Sequence, residues 1–130
     1  MKENDDTFVV KALEGKISPW RYVDLPGHAS QRVKLDQLKS TAKCVLFVVD
    51  GSQPDAFGKV AQFLYTLLVD PVFTARRTPF FIVINKKDKI EIIPDVTADE
   101  EVDPIHQIAE RLEKILSDTR KQSASVGSMR

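Results

Sequence analysis

The chain has 130 residues, of which 42% are hydrophobic and 29% charged, the length and mixture of one globular domain. Its 19 Lys and Arg balance 19 Asp and Glu, and this zero net charge argues against broad electrostatic binding to nucleic acid or an anionic membrane. A single cysteine excludes an internal disulfide framework and a multi-cysteine metal site.

The first forty residues predict a hairpin followed by a helix. Residues 7–13 are β-branched and apolar, a Glu-Gly-Lys turn follows, and residues 17–23 return as a second strand. Residues 25–28 end that strand, because proline donates no hydrogen bond to a strand ladder and glycine tolerates unusual dihedral angles. Apolar residues at helical spacing then predict a helix over residues 30–39.

Two later apolar runs predict strands that are buried on both faces. Residues 44–49 and 80–84 are continuously apolar, which is typical of parallel sheets covered by helices on each side. Between these strands, apolar residues at helical spacing predict a helix over residues 55–69, closed by Asp70 and Pro71.

The last third of the chain predicts one helix and a tail. Asp103 is placed as an N-cap with Pro104 at the first helical position, and apolar residues follow at helical spacing. Residues 119–130 are polar and small, so we expect a disordered tail there and one partial domain over residues 1–118. The alternation of strands and helices predicts an α/β domain.

Three polar segments follow predicted strands, at the ends where open α/β sheets bind ligands. They are D-L-P-G-H at 24–28, D-G-S at 50–52 and N-K-K-D at 85–88. In the last, Asp88 is suited to accept two parallel hydrogen bonds from guanine, a donor pair that adenine lacks. Asn85 would fix the loop and the base edge. The stem of Lys86 would lie along the base while its ammonium stays in water.

The D-x-x-G segment suits a phosphate and its metal ion. Asp24 is placed to hold Mg²⁺ through water, and the Gly27 backbone N–H can approach a terminal phosphate because no Cβ intervenes. Each motif alone is also a common turn. Their occurrence together, each at the end of a strand, favours a guanine nucleotide site that takes GTP or GDP with Mg²⁺.

The two motifs, the strand at 44–50 and F-L-Y at 63–65 together resemble the small GTPase domain of the signal recognition particle receptor beta subunit family. The resemblance spans about residues 17–118. It implies a GTP-binding subunit at the cytosolic face of the endoplasmic reticulum membrane. There it holds the receptor's alpha subunit for co-translational targeting, serving ribosome and translocon indirectly and without direct nucleic-acid binding. Ras-like relatives usually carry Gln where His28 stands, so His28 is the candidate catalytic residue.

The chain departs from the family's pattern at its phosphate-binding loop. G-x-x-x-x-G-K-[ST] is absent, since the Gly15-Lys16 pair is followed by Ile17. No run reaches the roughly 18 apolar residues of a membrane span, so we expect none in this chain. The expected fold is therefore a partial P-loop GTPase-like α/β fold with a mostly parallel sheet flanked by helices. It lacks the phosphate-loop strand and the last strand and helix.

These departures leave the enzymatic activity of the chain open. Loss of a central strand should expose apolar surface and unpaired backbone, and we expect impaired nucleotide binding. One alternative is a GTPase-like module that binds a partner without catalysis. Another is an Arf-like trafficking GTPase, which should carry G-G-Q where residues 26–28 read P-G-H.

Overall fold

The computed structural model describes residues 4–11, 17–27, 29–91 and 103–128. These residues form an α/β arrangement of strands and helices, as the sequence predicts. The chain divides into two compact units, Met1–Thr41 and Ala42–Arg130.

The first unit contains a hairpin and a short helix. Strands β1 (Asn4–Lys11) and β2 (Ile17–Asp24) pair antiparallel. A 3-10 turn at Ala29–Gln31 leads into α1 (Arg32–Leu38). The predicted hairpin and helix are confirmed, while the connecting turn at residues 12–16 lies outside the described residues.

The second unit is built on a parallel pair of strands. Strands β3 (Val45–Asp50) and β4 (Phe80–Asn85) are hydrogen-bonded neighbours, in a register that runs from Val45 opposite Phe80 to Asp50 opposite Asn85. The helices of this unit are α2 (Phe57–Leu68), α3 (Pro71–Arg76) and α4 (Pro104–Ser128). The described strands thus form one antiparallel and one parallel pair.

Helices α2 and α4 bury one face of the parallel pair. The positions four residues apart on each helix point the same way, so each helix contributes an apolar stripe. The buried residues of this core are Val49 of β3, Phe57 and Ala61 of α2, and Ile108 and Leu112 of α4. Burial of such side chains contributes about 1.5–3 kcal/mol each for the larger ones. Leu64, Leu67 and Phe73 are also buried in this unit.

The opposite face of the parallel pair is exposed, so the prediction that both strands are buried on both faces is wrong. Leu46 and Val48 of β3 lie opposite Phe81 and Val83 of β4 in the register and share one side of the sheet. Their exposed fractions run from 42% to 65%. We call these four residues the open sheet face.

The sequence analysis does not predict helix α3. It assigns Asp70 and Pro71 only to the end of α2, whereas Asp70 caps a new helix by accepting a hydrogen bond from the Val72 N–H at 2.8 Å. Asp103 caps α4 in the same way through the Ile105 N–H at 3.1 Å, as predicted. An Asp-Pro pair therefore marks a helix start at both positions.

The prediction of a disordered tail from residue 119 is wrong for residues 119–128, which continue α4. Once a helix has formed, each added residue gains a backbone hydrogen bond, so extension needs no buried face. Side-chain hydroxyls bond back to the preceding turn, as Ser123 does to the Thr119 carbonyl at 3.0 Å. The polar composition indicated correctly that this segment does not enter the core, since every side chain from residue 120 to 128 is exposed.

Two leucines of α2 test this packing. Leu64 is 1% exposed and Leu68 is 42% exposed. We expect Leu64→Ala to lower the free energy of unfolding by about 2–5 kcal/mol, because it removes buried methyl groups and leaves a cavity. The matched change Leu68→Ala should cost less than about 1 kcal/mol. Urea unfolding followed by circular dichroism measures both, and equal losses would contradict the described core.

Candidate functional site

The candidate site lies where the carboxyl ends of β3 and β4 meet. Gly51 follows β3 directly and its N–H donates to the Asn85 carbonyl oxygen at 3.0 Å, which extends the strand pairing by one bond. Gly51 is buried, and a Cβ there would lie 2.9 Å from Ile90 Cδ1 and 3.0 Å from Ile84 Cγ2. Glycine therefore leaves room for the side chains of Ile84 and Ile90 to pack against the backbone at the end of β3.

The Asp50 carboxylate is the centre of the polar contacts at this edge. Its Oδ1 accepts hydrogen bonds from the Ser52 N–H at 3.0 Å and from the Ser52 hydroxyl at 2.6 Å. Its Oδ2 accepts from the Lys86 ammonium at 2.6 Å and from the Gln53 amide at 3.3 Å. The bond from Lys86, followed by those from Ser52, lowers the pKa of Asp50 from 3.8 to about 2.

Lys86 adopts a backbone conformation that is unusual for a residue with a side chain. Its φ of 60° and ψ of 43° lie in the left-handed region, which costs about 1–2 kcal/mol for an L-residue. The Lys86 N–H donates to Asn85 Oδ1 at 2.8 Å, and a 3-10 turn, Lys87–Lys89, begins directly afterwards. The Lys86 ammonium forms an exposed ion pair with Asp50, a contact that the N-K-x-D motif alone does not predict.

Asp88 lies inside this 3-10 turn with an exposed side chain. Across the described ranges, no residue forms a hydrogen bond or ion pair with its carboxylate. On one side of it, Lys87 pairs with Asp103 at 3.4 Å and so links the turn to the start of α4. The backbone hydrogen bond from Ile105 lowers the pKa of Asp103. Side-chain contacts of Lys86 and Lys87 thus hold the N-terminal side of the turn, while the Asp88 carboxylate is available to a ligand.

The residues of the first motif belong to the first unit. Asp24 is the last residue of β2 and is exposed. Gly27 is exposed in a bend, and nothing lies within 4 Å of the position that a Cβ would take, so its N–H can be approached. His28 lies outside the described residues. The convergence of this motif with Asn85, Lys86 and Asp88 on one nucleotide stays a prediction.

Neither a metal cluster nor a membrane-spanning helix is found in the described parts of the chain. No group of three or more His, Cys, Asp or Glu among them is placed to hold a metal ion. Magnesium that is held through water by one carboxylate and by phosphate oxygens needs no such group, so the role of Asp24 stays a prediction. None of the helices between residues 4 and 128, as far as they are described, is long and apolar enough to cross a bilayer.

Comparison with known proteins identifies the family. The family model described as "Signal recognition particle receptor beta subunit" matches residues 4–126. One relative is the rat (Rattus norvegicus) protein named signal recognition particle receptor subunit beta. It is 36% identical over 86 residues, which make up 65% of this chain and 32% of the rat protein. The human protein of that name is 41% identical over 68 residues, 51% of this chain and 25% of its own. The Dictyostelium discoideum protein is 29% identical over 100 residues, 76% of this chain and 31% of its own.

The chain therefore belongs to the signal recognition particle receptor beta subunit family, which confirms the resemblance seen in its motifs. It spans about a quarter to a third of the length of these relatives.

Two glycines test the packing of Ile84 and Ile90 against Gly51. We expect Gly51→Ala to destabilise the second unit by about 1–3 kcal/mol, because the new methyl group must displace Ile84 and Ile90. Gly58→Ala is the matched control, since a Cβ on Gly58 in α2 meets nothing within 4 Å. That change should be neutral or stabilise the helix by up to about 1 kcal/mol. Thermal unfolding of the two variants compares them, and a tolerated Gly51→Ala would contradict tight packing of Ile84 and Ile90 against Gly51.

The pKa of Asp50 predicts a pH dependence. Because the pKa is lowered in the folded state, the contribution of Asp50 to stability, which is small for a pair this exposed, is complete above about pH 4 and is lost as the pH falls towards 2. A carbon-detected NMR titration of the Asp50 carboxyl should give a pKa near 2 in the native chain and a value closer to 3.8 in Lys86→Met. An unchanged titration in Lys86→Met would show that the ion pair does not form in solution.

Proposed function

We propose that this member of the signal recognition particle receptor beta subunit family supplies the guanine-reading side of a GTPase site in the receptor. In this proposal it works at the cytosolic face of the endoplasmic reticulum membrane and holds the alpha subunit for co-translational targeting. The observation that carries the proposal is the exposed Asp88 carboxylate, which has no bonding partner among the described residues and sits in a turn anchored at Lys86 and Lys87.

The chemistry of the turn suits guanine. A carboxylate at Asp88 accepts hydrogen bonds from the ring N–H and from the exocyclic amine, and adenine has no matching donor pair. Asn85 stiffens the turn through its bond to the Lys86 N–H. The methylene stem of Lys86 stays partly exposed although its ammonium is paired, so it can still lie along the base.

Binding of the nucleotide's phosphates would depend on the D-x-x-G motif and on groups outside the two motifs. Asp24 would hold Mg²⁺ through water, and the Gly27 N–H would contact a phosphate of GTP or GDP. Bound magnesium would neutralise phosphate charge. Residues 1–130 contain no G-x-x-x-x-G-K-[ST] loop, so the triphosphate should add little affinity in this chain. His28 would orient water, and hydrolysis would be slow or dependent on a partner.

Nucleotide titrations test the base site. The 130-residue chain should bind guanosine, GDP and GTP with affinities within about tenfold of one another, all weaker than micromolar, and should bind adenosine more weakly. Asp88→Asn should lose guanosine and gain xanthosine, because the Asn amide donates to the carbonyl that replaces the guanine amine. Asp118→Asn on α4 is the control and should change neither. Isothermal titration and NMR line shifts measure these affinities.

Two outcomes would contradict this proposal in different ways. Micromolar or tighter GTP affinity would mean that the chain holds the triphosphate without the usual loop. Equal affinity for guanosine and adenosine would mean that Asp88 does not read the base.

A second candidate function is a GTPase-like module that binds the alpha subunit without using nucleotide. The open sheet face favours it, because parallel strands are nearly always covered on both sides and the four apolar residues of this face are 42% to 65% exposed. In this alternative the D-x-x-G and N-K-x-D segments serve only as turns, and the partner is recognised through apolar contacts.

Retention of the chain by the alpha subunit's N-terminal domain distinguishes the two functions. The nucleotide-dependent function predicts retention with GTP, and no retention with GTP would count against the alpha subunit as partner. The second function predicts retention without nucleotide that is lost in Val48→Lys, on the open sheet face, and kept in Val69→Lys. Val69 is similarly exposed but follows the end of α2, so it controls for the added charge.

A further inference from the structure

We propose that Asp50 is a positioning residue for guanine recognition, and that its ion pair with Lys86 fixes the turn on which Asp88 is presented. This inference rests on the proposed function of the turn. It adds a residue from the neighbouring strand that the N-K-x-D motif does not contain.

Hydrogen bonds within residues 50–52 orient the Asp50 carboxylate independently of Lys86. Two hydrogen bonds from Ser52 hold Oδ1, one from the backbone and one from the hydroxyl. The strand register places Asp50 opposite Asn85, and the Gly51 N–H bonds to the Asn85 carbonyl oxygen. A carboxylate held by short local contacts loses little side-chain entropy when it binds the ammonium, so it makes a firm anchor.

Lys86 is the residue whose conformation needs an anchor. Its left-handed backbone joins β4 to the 3-10 turn, and an extended backbone there would turn Asp88 in another direction. Besides the hydrogen bond that its carbonyl oxygen accepts within the turn, two contacts hold this conformation, the Asn85 Oδ1 bond to the Lys86 N–H and the Asp50 ion pair at 2.6 Å. The first lies within the motif, while the second ties the motif to β3.

This role differs from general stabilisation. The side chain of Lys86 is 44% exposed and that of Asp50 is 31% exposed, and ion pairs so close to water contribute little to global stability. Removal of the carboxylate charge should therefore loosen the turn and blunt base selection while the urea unfolding midpoint changes little.

Amide exchange with water tests the anchor without any nucleotide. The reporter is the Lys89 N–H, which bonds to the Lys86 carbonyl oxygen at 2.9 Å inside the turn. We expect Asp50→Asn and Lys86→Met each to speed exchange at Lys89 by about three- to tenfold. The double variant should show no further increase, because both changes remove the same contact. Lys87→Met, which removes the pair to Asp103 and leaves Asp50 untouched, should not reproduce this coupling with Asp50→Asn.

Base selection provides the second measurement. Inosine lacks the exocyclic amine of guanosine, so the ratio of their dissociation constants reports how well the turn presents Asp88. Asp50→Asn should reduce this ratio by about three- to tenfold relative to the native chain. Unchanged exchange at Lys89, additive effects in the double variant, or an unchanged ratio would each overturn the positioning role. If the native chain shows no preference for guanosine, the proposed function fails, and the exchange data alone then decide whether Asp50 fixes the turn.

Discussion

The in-register pairing of β3 with β4 is the constraint on which the second unit depends. It brings Asp50 and Asn85 side by side although they are far apart in sequence, and it lays one apolar face of both strands under α2 and α4. Because side chains alternate along a strand, the same register that fills the core also leaves the open sheet face in solvent. The hydrogen bond from the Gly51 N–H to the Asn85 carbonyl oxygen continues this pairing past the strand ends, and the missing Cβ of Gly51 leaves room for Ile84 and Ile90.

Local chemistry predicted most of the elements, and tertiary context explains the rest. Asp103 with Pro104 marked a helix start, whereas the same pair at Asp70 was read only as a stop, so α3 was missed. The continuous apolar strands predicted helices on both sides of the sheet, and one face is exposed instead. The composition of a strand shows which side chains can be buried, but not which elements pack against them. The polar stretch after residue 118 lacks an apolar face, but helix extension in water does not require one.

The sequence predicts the motif residues of the candidate site but not the contacts that hold them in place. The N-K-x-D spacing identified Asn85, Lys86 and Asp88, and the structure places them on one turn at the end of β4. The bond from Lys86 to Asp50 depends on strand register and on a left-handed dihedral, and neither can be read from spacing. The sequence signal for Asp50 is its position directly after an apolar predicted strand, the position that Asp24 also occupies.

The open sheet face also governs how the chain behaves at high concentration. Among the described strands, β3 and β4 pair only with each other, so each has an outer edge, next to the apolar open sheet face, to which a strand of another molecule can add. With zero net charge and an isoelectric point near 6.7, the chain has little electrostatic repulsion to oppose aggregation near neutral pH. Its colloidal solubility should therefore be lowest near neutral pH, and covering the open sheet face should raise it.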